Sequence, residues 1–343
     1  MATHAGGVIM GIQGFAPQGY YGGYEHIWGI AGTNREPSLG RRDQQVFFVN
    51  SAHPAANDAN YGLDPNYPLA TVQEIINRSL GTGTINNPAL NSHDIVYVGG
   101  TVAEDVTTGD YDDLPSYISI IGAGFGMYAP AWTGVLATEP SLNLGAVGWR
   151  ISNFRFYGKT TDACIELHHT DVTGNDIAIH TVIDHCLFDG MTTGRYGILT
   201  HGCYDVWITD NVFQLWHNAV GGGAVPLLVG TTPLAIPYRN HVLRNIFWDS
   251  DNGAIFPCNG SEVRDNLFQK VGYAYTMTQV LNTSVGGNPG DDNIVTGNHF
   301  QGDYSNTGGY LAGAADDWTG NFAEDVAEAE VGDNGWTIAR PAA

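Results

Sequence analysis

Residues 261 to 272 read SEVRDNLFQKVG, and the spacing of Val263, Asn266 and Phe268 within them returns in ITDNVF (208–213) and VLRNIF (242–247). Aligned on the Phe, the series is ISNFRF to Phe156, IDHCLF to Phe188, ITDNVF to Phe213, VLRNIF to Phe247, VRDNLF to Phe268 and VTGNHF to Phe300, with a slipped copy, WTGNF, ending at Phe322. Five positions before the Phe stand Ile151, Ile183, Ile208, Val242, Val263 and Val295; two before it stand Phe154, Cys186, Asn211, Asn245, Asn266 and Asn298. A repeat of this kind outranks local propensity as a guide to architecture. Its intervals run from 21 to 34 residues, which excludes helical hairpin arrays of fixed period and suits a solenoid whose turns accept insertions.

Along a strand, residues two apart share a face, so an apolar residue five before the Phe has the wrong parity unless a corner intervenes. The Asn is read as that corner, since Asn enters the left-handed region more readily than most residues. With coils about 4.8 Å apart, Asn211, Asn245, Asn266 and Asn298 can pass amide hydrogen bonds up the stack. Each repeat has a second apolar run, as in CIELHH, YGILTHG, GAIFPCNG and YTMTQVLNTS, bounded by turn residues. A coil therefore reads as two or three short strands with sharp corners.

The Ile/Val-x-x-Asn-x-Phe unit resembles the coil of right-handed parallel β-helix proteins of the pectate-lyase-like superfamily. FFVNSAHPAANDANYGLDPNYPLATVQEIINRSL is similar to the segment that opens many of them, where a strand and a Gly-rich loop lead into a short helix. Thr71 is placed to cap that helix, and Val72, Ile75, Ile76 and Leu80 give it one apolar stripe for plugging the solenoid end. The resemblance implies an all-β fold, a right-handed parallel β-helix solenoid over residues 46–322 with a capping helix near 70–80. An extended Gly- and aromatic-rich arm (1–45) precedes it, and a short acidic tail (323–343) follows.

Composition narrows the partners. The 343 residues carry 35 acidic against 13 basic side chains, a net charge of −22, which disfavours nucleic acid and anionic membranes. No apolar run reaches the roughly 18 residues a membrane helix needs, and the first residues lack a secretory pattern. Cys164, Cys186, Cys203 and Cys258 have no metal-site spacing and are expected as buried thiols.

Chemistry is sought in the turn after each motif Phe. Asp249, Asp251 and Asp265 are the candidate catalytic carboxylates, since glycosidases need a pair about 5 to 9.5 Å apart. Trp216, His217, Trp248, Lys270, Asp303 and Tyr304 are candidate ligand or interface residues, with Trp216 and Trp248 expected as exposed aromatics. The polygalacturonase residue set is missing. Arg244 and Arg264, read as equivalent positions in consecutive coils, are expected to pair with acids such as Asp265 and Asp249. His185 and His201 could bind a transition metal if they stacked on one face, and DYDD (110–113) and GDDN (290–293) are acidic loops for calcium; no cofactor is expected.

The leading expectation is a structural virion component: a phage decoration, fibre or tail protein made in the host cytoplasm without a signal peptide. It would be trimeric, assemble with other virion proteins through residues 1–45, and contact surface polysaccharide. A polysaccharide depolymerase or hydrolase using the turn carboxylates is the alternative, and a non-catalytic glycan-binding module the third.

Overall fold

A computed structural model describes residues 44–325 apart from 85–86, 109–113, 125, 169–177, 218–224, 230–237, 251–252, 256–257, 270–280, 283, 286–287, 290–291, 304–309 and 312–314. Three sheets of parallel strands carry the fold, nine strands in sheet A and eight each in sheets B and C among the described residues. One coil runs from Trp207–Thr209 in sheet A through Val212–Gln214 in sheet B to Val225–Val229 in sheet C, and the chain then enters sheet A again at His241–Leu243. Each strand pairs in register with its equivalents one coil before and after, which makes the chain a parallel β solenoid. A small antiparallel hairpin, Ser284–Val285 with Asn288–Pro289, is an insertion on this plan.

Three inward columns fill the core. Sheet A contributes Ile120, Ile151, Ile183, Ile208, Val242, Val263 and Val295, and sheet C contributes Leu142, Ile165, Ile198, Leu227 and Ala254, all at most 1% exposed. Sheet B supplies a column of rings: Phe156, Phe188, Phe213, Phe247, Phe268 and Phe300 stack at 4.7 to 5.2 Å between centroids, and Trp132 extends the stack at 5.4 Å from Phe156. Stacking set by coil spacing is why one residue type recurs at each column.

Between sheets A and B the parity change takes two residues. The left-handed one is not the Asn but the residue before it, at φ between 54 and 68: His185, Asp210, Arg244, Asp265, Gly297 and Gly320. Only in the first copy does an Asn, Asn153, take that place (φ 62), and Phe154 then occupies the Asn column. The Asn side chains point inward and are fully buried. Each Oδ1 accepts the backbone N–H and the side-chain amide of the preceding rung: Asn211 to Asn245 (3.0 and 3.1 Å), Asn245 to Asn266 (2.8 and 3.1 Å), Asn266 to Asn298 (3.0 and 2.9 Å) and Asn298 to Asn321 (3.0 and 2.9 Å). The second amide hydrogen goes to a sheet A carbonyl, as from Asn266 to Val242 at 2.9 Å. The slipped copy thus aligns on Asn321, and Phe322 pairs with His299, outside the ring column and 47% exposed.

Sheet A has a second polar border, where the chain arrives from sheet C. The residue two before each strand is again left-handed, among them His180, Asp205, Arg239, Gly260 and Asp292. The residue after it is buried, and Asn240, Ser261, Asn293 and Asp316 make a mixed ladder: Val206 N donates to Asn240 Oδ1 (2.9 Å), Asn240 N to Ser261 Oγ (3.0 Å), Ser261 N to Asn293 Oδ1 (3.0 Å) and Asn293 N to Asp316 Oδ1 (2.9 Å).

Helix α1 (Val72–Ser79) closes the N-terminal end of the core. Thr71 caps it, accepting from Glu74 N at 3.2 Å, while Glu104 accepts from Val72 N and Gln73 N, and Val72, Ile75 and Ile76 are buried in the main core. Gln73 then bonds both backbone groups of Thr107 (2.8 and 3.1 Å), so a side-chain amide does for the first strand of sheet C what a preceding strand would do.

The ladder makes a stability prediction. Asn266→Ala strands two donors of Asn245 and the Val242 carbonyl, and should cost about 3 kcal/mol of unfolding free energy in a denaturant titration. Asp265→Gly, one residue away at φ 56, relieves a left-handed side chain and should be neutral or stabilising by up to about 1 kcal/mol. An unchanged midpoint for Asn266→Ala would remove the ladder from the account of stability.

Candidate functional site

Solvent-facing residues of a solenoid also fall into columns, one residue per coil. On the outer face of sheet B two columns run side by side. One is apolar, with Leu187, Val212, Ile246 and Leu267 in register. The other reads Tyr157, Asp189, Gln214, Trp248 and Gln269, two rings interspersed with planar hydrogen-bonding groups. Its five rungs span roughly 20 Å at normal strand spacing. Asp189 is buried by an ion pair with Arg155 (2.8 Å) and accepts from Gln214 Nε2 (3.2 Å), while Arg155 lies over the Tyr157 ring at 4.6 Å. Gln214, Trp248 and Gln269 are half-buried.

Asp249 follows this row in the left-handed conformation (φ 49), fixed by its N–H donating to Gln269 O at 3.0 Å. His217, one coil earlier, places Nε2 3.4 Å from Asp249 Oδ1. Trp248, Asp249 and His217 therefore meet at one corner of sheet B.

Other sequence candidates lie elsewhere. Asp265 is exposed at the corner between sheets A and B, on the opposite side of sheet B from Asp249 and on the order of 15 Å away along the strand direction. Asp251, Lys270 and Tyr304 lie outside the described residues, as do DYDD, the first half of GDDN and the side chain of Asp303, whose backbone ends the strand His299–Asp303.

Trp216, expected as exposed, is fully buried. Its indole Nε1 donates to Phe188 O (3.3 Å), and its ring lies where a Cβ on Gly190 or Gly194 would come within 2.7 Å. Two glycines of the preceding coil make the slot, a contact invisible in the local sequence. The expected arginine pairings also change: Arg244 aligns with Asp265 and forks onto Asp210 (2.9 Å twice), while Arg264 aligns with Leu243.

The histidines divide between columns. His185 sits at the A-to-B corner, its Nδ1 3.0 Å from Asp184, whereas His201 follows sheet C beside His168, ring centroids 5.4 Å apart. His185 and His201 do not share a face. Both His201 Nε2 (2.5 Å) and His168 Nε2 (3.4 Å) approach Glu166 Oε1. Among the described residues no group of three His, Cys, Asp or Glu is arranged to hold a metal ion. All four cysteines are buried, and burial pushes the thiols of Cys164, Cys186 and Cys258 up, away from thiolate chemistry.

Within each outward column just described, no two carboxylates fall on adjacent coils. Acids meet cations instead: Asp184 with Arg150, Asp189 with Arg155, Asp205 with Arg239, Asp210 with Arg244. Sequence reading missed an outer aromatic group, Tyr204, Trp207, Tyr238 and His241 at the corner between sheets C and A; the signal was present in the matched spacing of CYDVW and PYRNH.

No family model and no curated protein sequence matches the chain. Two crystal structures of the GH136 lacto-N-biosidase from Eubacterium ramulus resemble it. The native protein is 13% identical at a TM-score of 0.37, covering 84% of this chain and 60% of its own, so the chain spans less than two thirds of that enzyme. The selenomethionine derivative is 12% identical at a TM-score of 0.29, covering 88% and 70%. Likeness at this level carries nothing about a reaction.

Two predictions follow from the side chains placed here. Trp216→Ala should destabilise by about 3 to 5 kcal/mol through the cavity it leaves, and Trp248→Ala by much less, as measured by denaturant unfolding. The second concerns pH. Burial would raise Glu166, but hydrogen bonds and charge from His168 and His201 outweigh it and hold the carboxyl at about 2. In Asp184 burial is likewise outweighed by the Arg150 charge and by bonds from His185 and Arg150, again giving about 2. Both are depressed below their unfolded values, so their stabilisation is complete above about pH 4.5 and is lost as pH falls towards 2. Asp94, raised to about 6 by burial, works the other way and gains stability for the fold as pH falls from 7 to 5. Melting temperature should therefore hold or rise from pH 7 to 5 and then drop steeply, and Glu166→Gln should shallow the drop; a flat profile down to pH 3 contradicts both assignments.

Proposed function

We propose that this chain is a carbohydrate-binding parallel β-helix that lays an oligosaccharide across its coils along the outer face of sheet B. A right-handed coil is expected from the general preference of parallel crossovers. The observation that carries the reading is the row Gln214, Trp248 and Gln269, beside the apolar column Val212, Ile246 and Leu267 and ending at the His217–Asp249 pair. A sugar ring has an apolar face for Trp and aliphatic contact and hydroxyls for planar amides and carboxylates. The row belongs to backbone locked in register, so its groups are pre-positioned and little ordering cost opposes binding.

Binding without cleavage is the form that the described side chains of Asp249 and Asp265 favour. A glycosidase pair needs carboxyls about 5 to 9.5 Å apart; Asp249 and Asp265 flank sheet B on opposite sides, and Asp249 faces His217. Assembly into a particle through residues 1–45 is a separate proposal, resting on residues that are almost all outside the described ones.

The test is a glycan array probed with the full chain, followed by titration of the best oligosaccharide and analysis for newly formed reducing ends. Expected are saturable binding, a loss of about tenfold or more on Trp248→Ala with folding intact, and no products. Release of reducing ends that vanishes on Asp249→Ala would replace binding by hydrolysis. Equal affinity in wild type and Trp248→Ala would overturn the assignment to sheet B.

A further inference from the structure

We infer that the corner between sheets C and A, at Tyr204, Tyr238, Trp207 and His241, is a second carbohydrate site, one that takes a neutral sugar chain. It stands independently of the Trp248 row, on another edge of the solenoid.

Two successive coils place the same pattern there. Tyr204 and Tyr238 come first, then the left-handed Asp205 and Arg239 (φ 54 in both), then the buried Val206 and Asn240, then Trp207 and His241 opening sheet A and facing out. The tyrosine rings stack at 4.8 Å and 7°, and Trp207 stacks on His241 at 3.8 Å and 19°. Arg239 lies over both tyrosines (5.8 and 5.1 Å) and is forked onto Asp205 (2.9 and 2.6 Å). His241 Nδ1 is 3.1 Å from Glu262.

Two features separate this group from stacking that only supports the coil. The inward Phe column is wholly buried, whereas Tyr238 is 40% exposed. The tyrosine stack also stops: the next coil pairs Asn259 with Tyr238 and puts Gly260 in the column of Arg239, where a Cβ would meet nothing within 4 Å, so neither ring nor guanidinium continues the stack. Exposed aromatic clusters of this kind mark interaction sites.

Charge selects the ligand. Arg239 and His241 each already face a carboxylate, so phosphate, sulfate or uronate would meet no uncompensated cation, on a chain of net charge −22. Rings for the apolar faces of a sugar, with Asp205, Glu262 and Asn259 to accept from its hydroxyls, fit a neutral hexose or N-acetylhexosamine chain.

Calorimetric titration of the full chain with cellohexaose, chitohexaose, maltohexaose and polygalacturonate tests this in wild type, Tyr238→Ala, Trp207→Ala and Trp248→Ala. A neutral hexasaccharide should still bind Trp248→Ala, and adding Tyr238→Ala should weaken that remaining event about tenfold with the melting profile unchanged; if Tyr238→Ala does not fold, Trp207→Ala is read in its place. The inference fails if no neutral probe binds, if polygalacturonate is preferred, or if Trp248→Ala alone removes all binding. It fails also if Tyr238→Ala changes only the mass of the protein in solution, which would make the corner a protein interface. If wild type and Trp248→Ala bind identically while Tyr238→Ala weakens binding, the proposed function is overturned and this site stands.

Discussion

Everything in this solenoid depends on closing a corner between two sheets at the same place in every coil. Parallel strands in register leave each corner with a backbone N–H pointing along the stack into a water-free core, where an unpaired donor costs on the order of 1 to 3 kcal/mol. Asn meets the requirement because its Oδ1 takes two hydrogen bonds while its amide gives two. Asp would lack the donors, and a longer amide would overshoot. From Asn211 to Asn321 the arrangement repeats without a break. It ends at Cys186, whose N–H still donates to Asn211 Oδ1 (2.9 Å) but whose thiol cannot pass the pattern on. One coil earlier Phe154 fills the column and joins Trp132 in an aromatic core instead (5.2 Å).

The same corners decide what faces the solvent. Turning an inward Asn against the sheet requires a left-handed residue before it, and that residue's side chain stands outside. Both borders of sheet A obey this, and between the same two coils each border is clipped by a forked Arg–Asp pair, Arg239 with Asp205 and Arg244 with Asp210. Exposed pairs are individually weak, about 0 to 1 kcal/mol. Their effect here is on order: they hold the outer rings of Tyr204 and Tyr238 in the registry that the inner ladders impose.

Sequence carried the period, the Phe column, the sheet C runs and the capping helix, because each of these repeats a residue type at a fixed offset. It did not distinguish the two residues of the corner, since parity demands one break between Ile208 and Phe213 without saying where. The second ladder escaped for a different reason. Asn240, Ser261, Asn293 and Asp316 share a hydrogen-bonding duty but not one side-chain type, so a search for a repeated residue does not align them. Trp216 was misread because the glycines that bury it, Gly190 and Gly194, belong to the preceding coil; exposure is a property of the stack. The pairings of Arg244 and Arg264 were lost to a single position of register, which on a pleated strand exchanges the inside for the outside.

Function on such a scaffold is written in columns rather than motifs. The shortest route to a cleaving pair would be two carboxylates stacked on adjacent coils, about 4.8 Å apart; yet two like charges at that distance destabilise every coil they join, in bound and free protein alike. The columns described here put cations or amides between the acids, so a strongly acidic chain keeps its coils together. Rings and amides can repeat along a column without that electrostatic penalty, because aromatic faces and amide ladders attract their own kind. A stacked fold can therefore build extended rows suited to recognising polymers at little cost in stability, and Gln214, Trp248 and Gln269 on one sheet and Tyr204 and Tyr238 at the opposite border of its neighbour are the two rows for which we propose this role.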